Sequence, residues 1–143
     1  MVSELKLNEL STGMRLPELK KTVTQQHINL YAEASGDFNP IHIDAGFARQ
    51  TPLGGTVAHG MLILSYISEF MTGHFGQSWL TSGQLSTRFK NPTRPGDTIT
   101  VSGEITEVQR EDASTAIIRC DFLCQNQRKE AVIIGETKVR VKA

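Results

Sequence analysis

From Val57 to Phe75 the chain carries Met61, Leu62, Ile63, Leu64, Tyr66, Ile67, Phe70 and Met71, which wrap most of a helix's circumference. A surface helix needs one apolar stripe, whereas a helix apolar nearly all round has to be buried. No apolar run in the chain approaches the ~20 residues of a membrane span, so the cover must come from protein. Gly73 and Gly76 mark where this helix frays. The rest of the chain is therefore expected to be built around it.

The cover follows in sequence. Leu80–Lys90 reads as a strand broken by Pro92, Pro95 and Gly96. Asp97–Val108 alternates, with Ile99, Val101 and Ile105 on one face, and Arg110-Glu111-Asp112 suits a hairpin turn. Ser114–Cys124 places Ala116, Ile118, Cys120 and Phe122 on one face and Ile117 and Leu123 on the other. After a turn at Gln125–Arg128, Ala131–Val141 returns with Ile133, Val139 and Val141 facing one way. A run of antiparallel strands beside a segregated helix is an α+β pattern. The far face of such a sheet is left to solvent or to a second subunit.

Ahead of the long helix, residues 1–20 read as irregular, with Lys20–Val23 as a short edge strand. Thr24 suits a helix N-cap, Ile28, Leu30 and Tyr31 form an apolar face through about Ser35, and Gly36 ends the helix. Pro40 then disfavours helical geometry at Asn39, so Asp37-Phe38-Asn39-Pro40-Ile41-His42 is a bend. Asp44 is placed to cap one further turn, Ala45–Arg49, before a breaker-rich loop at Thr51–Thr56.

The 143 residues suit one domain, 1–143, with a core that needs no metal or disulfide. Fifteen basic and fifteen acidic side chains cancel, which gives no support to a nucleic-acid or anionic-membrane surface. The opening residues lack the pattern of a secretory signal. Cys120 and Cys124 share a strand face at roughly 13 Å, beyond disulfide reach, and are expected to be core thiols in a reducing cytoplasm.

Within the bend, Asp37 and His42 bring a carboxylate and an imidazole to either side of a turn. One reading makes Asp37 a cap and His42 a packed ring; the other has the pair hold a water for acid–base chemistry. Burial beside apolar helices would raise the acid's pKa. Asn39 can orient either partner or simply fix the turn. At Ala58-His59-Gly60-Met61 the long helix begins, where free backbone N–H groups carry partial positive charge. Gly60 lets a ligand oxygen approach closely, as an oxyanion hole requires, or lets helix pack on sheet. His59 reads as a positioned, hydrogen-bonded histidine. Ser65 and Ser68 read as helical serines bonded back to carbonyls. His27 and His74 lie in surface-like contexts, and Arg88, Lys90, Arg94, Arg128 and Lys129 read as solvated charges. There is no nucleophile elbow, phosphate-cradling glycine loop or spaced metal-ligand set.

Tyr31-Ala32-Glu33-Ala34-Ser35-Gly36-Asp37-Phe38-Asn39-Pro40-Ile41-His42-Ile43-Asp44, followed by Val57-Ala58-His59-Gly60-Met61-Leu62, resembles the MaoC-like, (R)-specific enoyl-CoA hydratase family. Arg88-Phe89-Lys90-Asn91-Pro92-Thr93-Arg94-Pro95-Gly96-Asp97-Thr98 is similar to that family's later strand and turn. The resemblance runs from about Leu10 to Val141. It implies a single hotdog fold, a long helix wrapped by a curved antiparallel sheet, and homodimers paired edge to edge. It also implies a lyase that hydrates trans-2-enoyl thioesters to (3R)-hydroxyacyl thioesters, or reverses that reaction. The water then lies on Asp37 and His42, with Asn39 and Ser68 supporting and Gly60 and His59 at the oxyanion and substrate side. No metal or redox cofactor is implied; CoA or acyl-carrier protein is the substrate's handle. A hotdog acyl-CoA thioesterase, and a non-catalytic subunit of a heteromeric dehydratase, are the alternatives.

Overall fold

A computed structural model describes residues 4–143. In chain order it has a single 3-10 turn at Leu7–Glu9, then β1 (Arg15–Thr22), α1 (Gln25–Ser35), α2 (Pro40–Ile43), α3 (Ala45–Arg49), α4 (Gly60–Phe75), α5 (Gln77–Ser82), β2 (Gln84–Phe89), β3 (Thr98–Arg110), β4 (Thr115–Gln125) and β5 (Ala131–Lys142). The strands form one five-stranded antiparallel sheet in the order β1-β3-β4-β5-β2, so β1 and β2 are its edges.

The long helix lies on this sheet. Ile63, Ile67, Phe70 and Met71 are buried with Ile99, Val101, Ile105, Ile118, Cys120 and Val139 in one continuous apolar cluster. Gly103 on β3 sits under the Phe70 ring; a Cβ there would lie 3.1 Å from Phe70, so the bare backbone makes room for the aromatic ring. Cys120 and Cys124 are unpaired and buried, and burial pushes their thiols up to about 11 and about 12. Both are inert packing groups at neutral pH.

Several boundaries differ from expectation. The first strand starts at Arg15, not Lys20, and includes Pro17. Pro17 falls where the β1–β3 register shifts between Leu16 and Leu19, on an edge strand, so its missing N–H leaves no ladder bond unmade. The long helix begins at Gly60, with Val57–His59 outside it. Its exposed side, which includes Met61 at 56% and Ser65, departs from the all-round burial its composition suggested. Leu80–Ser82 are helical, not strand: α5 turns there to bury Trp79 before β2 starts at Gln84. Residues 1–3 of the irregular N-terminal segment lie outside the described residues.

Candidate active site

The bend is built by a succession of side chains that cap their own backbone. The α1 helix closes at Gly36, whose φ of +78° is the left-handed conformation a glycine adopts without strain. Ser35 Oγ accepts the Asp37 N–H at 3.2 Å, and Asp37 Oδ1 accepts the Asn39 N–H at 3.2 Å. Asn39 Oδ1 accepts the Ile41 N–H at 3.1 Å, with Pro40 at the first helical position of α2. The Asn39 oxygen is thus a helix cap, which is the turn-fixing one of its two sequence readings.

His42 then faces back across the bend. Its Nδ1 lies 2.8 Å from the Val57 carbonyl oxygen. A carbonyl only accepts, so Nδ1 carries the proton and Nε2 of the neutral ring is a lone pair. That Nε2 is 3.8 Å from Asp37 Oδ2, too far for a direct hydrogen bond. The Asp37 side chain is 54% exposed, so the burial expected beside the apolar helices is absent from the single chain. The carboxylate is held by its own loop.

Beneath the pair lies His59, 3% exposed. Its Nε2 donates to the Asp37 main-chain oxygen at 2.9 Å, and its ring stacks on His42 at 3.8 Å and 25°. Tyr31 tilts against the other side at 4.8 Å. The resemblance places His59 beside Gly60 on the substrate side; in the structure its ring contacts Asp37 and His42. Donor atoms of Asp37, His42 and His59 fall within 4.8 Å of one another. His59 Nε2 is spent on the Asp37 oxygen, while its buried Nδ1 has no hydrogen-bond partner among the described residues.

Gly60 opens α4 directly after His59, which gives no side-chain cap. Among the described residues the Gly60 and Met61 N–H groups have no hydrogen-bond partner. A Cβ at Gly60 would lie 2.9 Å from the Phe89 ring, so the missing side chain also seats that aromatic group. Close approach and helix–sheet packing, the two readings of this glycine, coexist. Gly60 borders a cleft of about 380 Å³ with Ala58, Ile63, Phe89, Thr93 and Ile133.

Ser68 is not brought to this group. It lies eight residues from Gly60, ~12 Å along the helix axis, and its hydroxyl accepts the Trp79 indole N–H at 3.2 Å. Ser65 bonds back to the Leu62 oxygen. His74, read as a surface residue, is buried at 1% exposure with Nε2 on the Pro17 oxygen at 3.0 Å. Two contributors were given no site role by the sequence. Gln25 donates to the His42 oxygen and accepts from Thr56, each at 2.8 Å, and Tyr31 walls in His59. Their partners lie far away in sequence.

A helix laid on an antiparallel sheet, with an Asp–His pair poised at its N-terminus, defines the class, and residues 10–120 match the MaoC like domain. The chain belongs to that family. It is 34% identical over 125 residues to an (R)-specific enoyl-CoA hydratase of Rhodospirillum rubrum, covering 87% of this chain and 84% of the relative. It is 31% identical over 123 residues to a 3-hydroxybutyryl-CoA dehydratase of Methylorubrum extorquens, covering 86% and 76%. Among solved structures, the unliganded R-hydratase PhaJ1 of Pseudomonas aeruginosa matches with a TM-score of 0.85 at 27% identity, over 99% of this chain and 88% of that one. The hotdog architecture of the family is the fold seen here.

Proposed function

We propose that this protein is a hydro-lyase that adds water to trans-2-enoyl thioesters to give (3R)-hydroxyacyl thioesters, and catalyses the reverse dehydration. The observation that carries this is the 3.8 Å separation of Asp37 Oδ2 and His42 Nε2, both acceptors, close to the unpaired N–H groups that open α4. Two acceptors at that spacing suit one water that donates a proton to each. A lone pair of its oxygen is then free to attack C3.

As the new C–O bond forms, the C2=C3 electrons move toward the thioester and its oxygen becomes an enolate. The Gly60 N–H and the positive end of the α4 dipole stabilise that oxygen. Asp37 takes up one proton of the water as attack proceeds and returns it to C2, while His42 Nε2 holds the proton that stays on the new hydroxyl. The hydration so written uses no metal and no redox step.

Several finer features belong to the same reading. CoA or an acyl-carrier protein holds the acyl group. Among the described residues the outer edge of β2 has no neighbouring strand, which supports a homodimer formed edge to edge. Two buried free thiols fit a reducing cytoplasm. Among the described residues no helix is long and apolar enough to cross a membrane.

The test is purified wild type with crotonyl-CoA, following enoyl absorbance, free thiol and product chirality together. Loss of absorbance with a (3R) alcohol and no thiol supports the proposal. Release of thiol replaces it with a thioesterase. Silence across chain lengths and carriers, with hydration restored by a partner chain, makes this a subunit of a heteromeric dehydratase.

A further inference from the structure

Resting on the hydration reading above, we infer that Gln25 is a positioning residue for His42, holding the imidazole in the tautomer whose bare Nε2 receives the water. Gln25 opens α1, and its amide reaches two other segments of the chain. Its Nε2 donates to the His42 main-chain oxygen at 2.8 Å and to Asn29 Oδ1 at 2.9 Å. Its Oε1 accepts the Thr56 hydroxyl at 2.8 Å. The amide's orientation is fixed, because the His42 oxygen only accepts and so must face the nitrogen. Both N–H groups of the amide are then spent.

These bonds bracket the one that sets the tautomer. His42 Nδ1 donates to the Val57 oxygen at 2.8 Å, and the Val57 N–H donates to the Ile41 oxygen at 3.2 Å. His42 carries the donor and Thr56 directly precedes the acceptor, so one amide holds both sides of the Nδ1–H bond. The need for such a tie follows from α2, a four-residue helix with no buried side chain. A single turn has no stability of its own, so its place depends on tethers. Without the Gln25 amide, α2 is freer to shift against Val57. The proton of a neutral imidazole follows whichever hydrogen bond is on offer, so a loosened Nδ1–H bond admits the other tautomer. A ring protonated on Nε2 presents a donor where the water has to donate, and it no longer pairs with Asp37 Oδ2 to hold that water. None of Gln25's three bonds goes to Asp37 or His59, so its effect on the site passes through His42.

The test reads the tautomer directly, by nitrogen NMR of the imidazoles at pH 8, where an ordinary imidazole is neutral. Steady-state hydration and a thermal melt are measured beside it, and His42→Gln assigns the His42 signals. Gln25→Met removes the amide at similar length, whereas Gln25→Glu keeps an acceptor for Thr56 but loses the donor to His42. Thr56→Val removes only the hydroxyl, and Thr56→Ser keeps it. Wild type is expected to show His42 protonated on Nδ1 and bare on Nε2. Gln25→Met and Gln25→Glu should both admit the form protonated on Nε2. Their kcat should fall about tenfold, the size of one net hydrogen bond, with KM changed less. Thr56→Val should move both readings the same way by less, and Thr56→Ser should match wild type.

A wild-type His42 protonated on Nε2 overturns the inference. So does an unchanged His42 tautomer in folded Gln25→Met and Gln25→Glu, even where kcat falls, because a merely structural tie would lower the melt and the rate without moving that proton. In an active enzyme, a shifted tautomer at unchanged kcat overturns it as well. If the Gln25 variants do not fold, Thr56→Val decides: a tautomer that shifts there and returns in Thr56→Ser supports the inference, and one that stays put overturns it. Because the spectrum needs no turnover, a wild type that hydrates nothing while its His42 proton still follows Gln25 keeps Gln25 as the residue that sets the tautomer and loses only the hydratase reading.

Discussion

The imidazole of His42 lies 3.8 Å from that of His59, tilted by only 25°, and His59 is in turn bonded to the main chain of Asp37. One buried ring therefore touches both members of the proposed acid–base pair. It supports His42 from below and fixes the loop that presents the Asp37 carboxylate. His59→Phe keeps an aromatic platform but removes the N–H donated to the Asp37 oxygen. The expected result is a fall in kcat of about tenfold, the size of one net hydrogen bond, with KM changed less. Steady-state kinetics beside a thermal melt would check it; an unchanged kcat would contradict it.

Thr93 Oγ1 is buried and has no partner among the described residues. An unpaired buried hydroxyl destabilises by ~1–3 kcal/mol, and valine matches threonine in shape. Thr93→Val is expected to raise stability by about 1 kcal/mol, read as a higher urea midpoint at unchanged slope. A lower midpoint would mean the hydroxyl has a partner after all.

Burial pushes the His74 imidazole below its ordinary value, and the bond to Pro17 only partly opposes this. The folded state keeps His74 neutral, whereas the unfolded chain takes up a proton near pH 6.5. Stability from this group is therefore intact above pH ~6.5 and declines as pH falls from there toward the folded pKa. His74→Gln keeps a donor for the Pro17 oxygen and cannot titrate. Urea melts from pH 8 to 5 should show a shallower decline in this variant than in wild type; equal slopes would contradict the assignment.

Asp97 behaves differently. Burial alone would push its carboxyl up, but the Arg94 N–H, the Gln127 amide and the Arg128 guanidinium outweigh it and hold it low. Its contribution is present above the unfolded value near ~3.9 and is lost as pH falls through the folded pKa. Asp97→Asn turns an amide N–H₂ toward donors and should cost about 2 kcal/mol at neutral pH. Because Asp97 anchors the loop whose Thr93 oxygen holds the Ala58 N–H, the variant should also lose hydratase activity. Equal stability of the two proteins at pH 7 would sink this account.

The approach of Asp37 to His42 was legible in sequence because the two share one local bend, closed by Gly36 and Pro40. The main strands were legible because β3, β4 and β5 alternate against a single helix. What escaped depended on distant partners. His74 reads as solvent-facing until Pro17, 57 residues earlier, supplies a carbonyl. The α5 helix was hidden because Leu80 and Thr81 suit a strand, and only the burial of Trp79 favours a helical turn. Pro17 and the bulge beside it broke the alternation that would have revealed the start of β1. Ser68 matched a family position by spacing alone, and its hydroxyl meets Trp79.

The most direct test of the central claim is the hydration rate of Asp37→Asn on crotonyl-CoA, beside wild type and with a melt of each. The carboxylate is half exposed and accepts the Asn39 N–H of its own loop, so the variant should fold and melt close to wild type. Its kcat should fall by about 10²–10⁴-fold, the contribution of a positioned acid–base group. A folded Asp37→Asn protein that makes the (3R) alcohol at the wild-type rate would contradict the account.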